Sequence, residues 1–224
     1  MWCFPKMIVM NKIILILILI GFVITGAVSF ILISENSLES QMTTPSHGID
    51  FTFYDVEKIK KSLSEQNIFM STPVAVTDDT RDQYCAYYDS ASTLRTVEYC
   101  TTTALLNSDG KTIGNLNMGG TTDDPILALA IIDTSPFLNS KKDEINIVFN
   151  TMIETLVCDC WDMRHPGGFE TIQDWLDIAE EKYAASSQTT LKSEITGLNN
   201  KRLTLEITSI DDSYLWTLII LKQS

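Results

Sequence analysis

The chain has 224 residues, with 16 Lys and Arg against 29 Asp and Glu and a formal net charge of −13. A field of that sign repels phosphate backbones, so nucleic-acid binding is not expected. Two histidines, no nucleophile elbow, no phosphate-cradling glycine loop and no HExxH helix leave little material for hydrolytic chemistry.

Residues 1–12 read as a short cytoplasmic tail. Ile13 to Ile33, IILILILIGFVITGAVSFILI, carries no charge, and as a helix rising about 1.5 Å per residue it spans about 30 Å of hydrocarbon. A transmembrane anchor is predicted there, with the lipid bilayer as its partner. Lys6 and Lys12 ahead of the run and Glu35 and Glu39 behind it place the N-terminus in the cytoplasm and the rest outside a cell membrane. Ala27 and Ser29 form a weak cleavage signal, but the run is longer than the roughly 7 to 15 residues of a signal-peptide core, which favours an uncleaved single-pass anchor. Beyond Ile33 stand 14 Lys and Arg against 29 Asp and Glu, a net charge of −15. Residues 34–48, SENSLESQMTTPSHG with His47, read as a polar linker. Residues 49–224 are long enough for one external domain with its own core.

In that domain Asp55 is placed to cap a helix running to about Asn67, with Val56, Ile59 and Leu63 on one face. Pro73 to Val76 suggests a short strand, and TDDTRD at 77–82 an acidic turn, with a calcium loop the lesser alternative. QYCAYY (83–88) and TLRTVEYCTTTALL (93–106) are rich in Tyr, Thr and Val, as strands are. A loop at Ala91 to Leu94 would set Tyr87 against Glu98 and Cys85 against Cys100, close enough for a disulfide. Asp109-Gly110 predicts a hairpin with a type I′ turn and a following strand to about Met118. PILALAIID (125–133) reads as a strand buried on both faces.

Ser140 begins a predicted helix whose core face is Ile145, Val148, Phe149, Met152, Ile153 and Leu156, leading straight into Cys158. His165-Pro-Gly-Gly ends that element. Phe169, Ile172, Trp175, Leu176, Ala179 and Tyr183 define a second amphipathic helix. The last third alternates with period two at Leu191, Ser193 and Ile195 and again at Leu203, Leu205 and Ile207, then closes on the two-sided apolar run YLWTLIIL (214–221). Helix, four to five strands, two helices and a three-stranded meander make the expected fold class α+β, with an antiparallel sheet behind a single N-terminal transmembrane helix.

The densest chemistry is CDCWDMRH, 158–165. Cys158, Cys160, Met163 and His165 suit copper(I), or zinc without the methionine, although no second CxxC pair supports them. The four external cysteines, Cys85, Cys100, Cys158 and Cys160, can pair in three ways. Cys85 with Cys100 leaves the CDC thiols to each other; otherwise Cys158 and Cys160 staple the helix end to the sheet. On a helix, residues two apart point about 200° from one another and could not bridge without unwinding the last turn, whereas on an extended segment both share a face, where a strained ring or a shared metal is possible. A working dithiol is a further alternative, without the CxxC and βαβ setting of thioredoxin-like folds. Asp78-Asp79, Asp123-Asp124 and Asp211-Asp212 fall where turns are expected. The leading expectation is a membrane-anchored, disulfide-stabilised external domain without a cofactor or enzymatic activity that binds a protein or envelope component. The alternatives are a surface copper- or zinc-handling domain and a thiol oxidoreductase.

Overall fold

The computed structural model describes residues 50–223 apart from Ser90. The predicted tail, the 13–33 span and the 34–48 linker lie outside the described residues. Among the described residues no helix is long and apolar enough to cross a membrane.

The first helix, α1 (Asp55–Ser64), buries Val56, Ile59 and Leu63. Asp55 does not cap it from outside. It is itself helical, and its carboxylate turns back to accept hydrogen bonds from the Thr52 backbone N–H and hydroxyl at 2.6 and 3.1 Å. The helix stops before Asn67, which takes φ 62°. Two short strands follow, β1 (Phe69–Met70) and β2 (Val74–Ala75). They pair with successive stretches of one longer strand, β5 (Tyr99–Leu106).

Between β2 and β5 the chain makes an excursion through α2 (Arg81–Tyr84), β3 (Ala86–Tyr88) and β4 (Leu94–Thr96). Strands β6 (Thr112–Gly120) and β7 (Pro125–Thr134) continue from β5 as an antiparallel meander. Helices α3 (Lys142–Leu156), α4 (Trp161–Arg164) and α5 (Ile172–Ala185) come next, then β8 (Thr190–Leu198), β9 (Lys201–Ile210) and β10 (Ser213–Lys222). The main sheet runs β1-β5-β6-β7-β10-β9-β8, with β2 also on β5, and β3 and β4 form a separate hairpin.

This corrects the expected fold class. The α+β reading behind an N-terminal transmembrane helix gives way to a domain that is mostly one β-sheet with few helices, three of them longer than a single turn at 10, 15 and 14 residues. The physical reason lies in the two runs that are apolar on both sides. β7 and β10 pair with each other from Leu127↔Leu221 to Thr134↔Tyr214, merging what read as two strand groups into a single sheet. A strand buried on both faces is most stable between two neighbours, where every backbone polar group is also paired.

The helices cover one face of that sheet. Leu116, Ala130, Leu218 and Leu205 form a row across β6, β7, β10 and β9, and all are buried against α1, α3 and α5. The other face presents Leu127, Leu129 and Leu221, and the 76–98 excursion lies over part of it. Cys85 and Cys100 staple the excursion down, their Cα atoms 6.2 Å apart and neither residue exposed to solvent. The expected register is not the one formed. Tyr87 faces Arg95 rather than Glu98, and Cys85 sits at the end of α2, outside the β3–β4 ladder. Asn117, fully buried on β6, donates to the Tyr84 carbonyl at 2.8 Å and fastens the same end.

Gly119 makes this close approach possible. It pairs with Cys100, and a Cβ there would stand 2.6 Å from Val97 Cγ2 and 3.1 Å from Cys85 Sγ. Gly119→Ala is expected to lower the unfolding free energy by about 2 kcal/mol in chemical denaturation, as overpacking does, and Val97→Ala in the same chain should recover part of the loss. An unchanged midpoint would mean that the excursion does not rest on β6.

The Asp109-Gly110 turn does not take its expected geometry. At Asp109-Gly110 only the glycine has positive φ, at 73°, and the loop closes through Asn107, whose side chain accepts from Asp109 and Lys111 N–H at 3.1 and 2.9 Å. That is the three-residue hairpin with a left-handed glycine, not type I′. Two consecutive positive φ angles occur instead at Asn199 and Asn200, 50° and 56°, between β8 and β9.

Candidate functional site

The segment between α3 and α5 carries the site. α3 ends at Leu156 because the Val157 and Cys158 N–H groups both donate to the Ile153 carbonyl, at 2.9 and 3.1 Å, which closes the last turn. The Asn199 side chain then donates to the Val157 carbonyl at 2.9 Å and ties this end to the β8–β9 turn. Cys158, Asp159 and Cys160 are therefore off the helix, contrary to the helical reading of their approach. Freed of helical geometry, Cys158 and Cys160 bond to each other, with Cα atoms 5.1 Å apart. Both cysteine pairs of the domain thus lie at disulfide distance, and neither joins the helix end to the sheet.

Trp161 opens α4 and is 5 % exposed. Its ring stacks on Trp175 of α5 at 5.8 Å between centroids, and Phe169 meets Trp175 from another side at 6.5 Å. Trp175 is fully buried and donates from Nε1 to Ser193 Oγ at 2.8 Å. His165 at φ 43° and Gly167 and Gly168 at 67° and 82° turn the chain from α4 into α5. Thr171 and Asp174 start α5 with a reciprocal capping box, a Thr-x-x-Asp signal within the chain's own sequence.

These elements enclose a groove of about 320 Å³ lined by Asn150, Glu154, Cys158, Cys160, Trp161 and Asp162 among others. Two of its lining residues carry a buried polar atom, Asn150 Oδ1 and Trp161 Nε1, with no hydrogen-bond partner in the protein. Such groups are uncommon, because a buried donor or acceptor left unpaired costs about 1–3 kcal/mol. The rim is acidic. Partial burial, then the like charges of Asp159 and Asp162, raise the Glu154 carboxyl above its ordinary range. Asn150 and Glu154 were legible only as a polar i,i+4 stripe on α3 that points at Cys158; nothing in their identity marked a site.

The four candidate metal ligands are arranged unequally. Cys158 and Cys160 share a bond, and in that state neither sulfur carries the thiolate charge a metal needs. Met163 is 78 % exposed, and His165 is an exposed residue of the exit turn. Among the described residues no group of three or more His, Cys, Asp or Glu side chains is placed to hold a metal ion.

A larger groove of about 610 Å³ lies by the other face of the sheet, near Tyr87, Arg202 and Lys222. Its charged groups already have partners. Lys222 bonds Asp124 at 2.7 Å and reaches Asp50 at 3.6 Å, Arg202 donates to the Tyr88 carbonyl, and Arg95 pairs with Asp89. Of these two grooves, only the one beside Cys158–Cys160 is lined by residues with buried unpartnered polar atoms; among the described residues a third such atom, Arg81 Nε, lies outside both. No protein-family model, curated protein or solved structure matches the chain. The functional reading rests on this geometry.

Proposed function

We propose that the domain is an extracytoplasmic, disulfide-bonded binding module, and that the groove between α3, α4 and α5 takes a basic segment of a protein or envelope partner. The pair of buried, unpartnered groups carries the reading: a small opening of the groove wall exposes Trp161 Nε1 as a donor for a peptide carbonyl and Asn150 Oδ1 as an acceptor for a peptide N–H. The rim carboxylates of Glu154, Asp159 and Asp162 favour Lys or Arg beside that backbone. Two disulfides support a location outside the cytoplasm, where such bonds persist. The acidic surface disfavours nucleic acid as the partner.

The test measures binding of short peptides of matched length and opposite net charge to the full chain by calorimetry. Basic peptides are expected to bind and acidic ones not. Trp161→Phe, which keeps an aromatic ring against Trp175 and removes the N–H together with the rest of the five-membered ring, should weaken the basic peptides about tenfold. The same substitution also empties part of a buried site and should cost about 1 kcal/mol of stability, so affinities are compared where both chains are folded. Equal affinity for both peptide charges, or unchanged affinity in Trp161→Phe, would overturn the reading.

A further inference from the structure

We propose that Cys158–Cys160 is a thiol–disulfide exchange site that accepts thiols carrying a nearby positive charge. The bond fastens no two elements of the fold. Both cysteines belong to one three-residue link, and the flanking ends are already placed by the Ile153 and Val157 carbonyl bonds and by the Trp161–Trp175 stack. It is also reachable. Cys158 and Cys160 are half-buried and line the open groove, whereas Cys85 and Cys100 are fully buried beneath the excursion.

The exchange is balanced without any further oxidant. A substrate thiolate attacks one sulfur of the pair, forming a mixed disulfide as the Cys158–Cys160 bond breaks and the other cysteine leaves as a thiolate that takes a proton from water. A second substrate thiolate attacks the substrate sulfur of the mixed disulfide and releases the remaining cysteine. Two substrate thiols are oxidised to one disulfide, and Cys158–Cys160 is reduced to two thiols by the same two electrons.

The surroundings decide which thiols react. Glu154 from α3, Asp159 from the link and Asp162 from α4 line the same groove, so both the approaching and the departing thiolate form in a negative field. An ammonium or guanidinium group on the substrate offsets that field, and an anionic substituent adds to it. The proposal shares the acidic rim with the basic-segment reading but not its hydrogen bonds, and small thiols test it without any peptide affinity.

The experiment treats the folded full chain with cysteamine, 2-mercaptoethanol and 2-mercaptoethanesulfonate at equal thiolate concentration. Alkylation and mass spectrometry then follow each bond. Cys158–Cys160 is expected to open while Cys85–Cys100 stays intact, with cysteamine at least about tenfold faster than the sulfonate. The ratio should collapse towards one at about 1 M salt, where the screening length is about 3 Å, and in the variant Glu154→Gln, Asp159→Asn, Asp162→Asn. Equal rates for the three thiols would overturn the proposal. So would opening of Cys158–Cys160 only together with Cys85–Cys100, which signals unfolding. The salt series on the unaltered chain decides the matter even if the triple variant does not fold.

Discussion

Replacing Trp175 by alanine is expected to lower the unfolding free energy by about 4 kcal/mol, the largest effect of any single substitution considered, read from urea transitions followed by far-ultraviolet dichroism. Trp175 heads the fully buried side chains by volume, so its removal leaves a cavity that the flanking helix and sheet cannot close. Ser193 Oγ loses its donor at the same time. The change also reaches the site, because Trp161, which lines the groove, loses the ring it stacks on. Affinity for basic peptides should therefore fall in Trp175→Ala even under conditions where the domain remains folded. Trp175→Phe, which retains an aromatic floor, should keep most of both. A drop of less than about 1 kcal/mol in Trp175→Ala would mean that Phe169 and Trp161 repack to fill the space, and the groove would then have no fixed floor.

Removing the Cys85–Cys100 bond by replacing both residues with alanine should cost about 3 kcal/mol, from the entropy returned to an unfolded chain no longer closed over 15 residues. The corresponding double change at Cys158 and Cys160, which closes a loop of only two positions, should cost about 1.5 kcal/mol or less. Denaturant midpoints of the two double variants against the parent chain measure the difference directly. The two bonds thereby separate into a staple and a local ring. Loss of Cys85–Cys100 also frees the 76–98 excursion from Leu127, Leu129 and Leu221, so a hydrophobic dye should bind that variant and not the other. Equal losses for the two variants would show that the Cys158–Cys160 ring holds more of the fold than its place in one link implies.

Much of the local structure was legible because it depends on near neighbours. The spacing of Ile145, Val148, Phe149, Met152, Ile153 and Leu156 specifies the buried face of α3, and all six are buried there. The alternation at Leu203, Leu205 and Ile207 specifies the inner face of β9, since side chains on a strand repeat every two residues. The disulfide between Cys85 and Cys100 was accessible by proximity in the chain, but its route was misjudged. A strand register was assumed where the structure uses the end of α2, and a three-residue shift in the hairpin goes unseen when both of its strands are short and largely exposed.

The fold class and the site were another matter. Whether PILALAIID and YLWTLIIL lie in two sheets or in one depends on which partner each two-sided apolar run meets, and those runs are more than 80 residues apart. Cys158 faced Cys160 only once the Ile153 carbonyl had ended α3, an event set by backbone hydrogen bonds and by Asn199 from a distant turn. The groove is further removed still, because its polar groups matter for lacking partners, and a missing partner is a property of packing. From the sequence alone came the acidic character, the cysteine inventory, the faces of the longer helices and strands, and a local apolar run at 13–33 whose structure lies outside the described residues. Tertiary structure alone decided the single sheet, the pairing within CDC and the unpartnered Asn150 and Trp161, because each depends on long-range contacts whose energies no local pattern encodes.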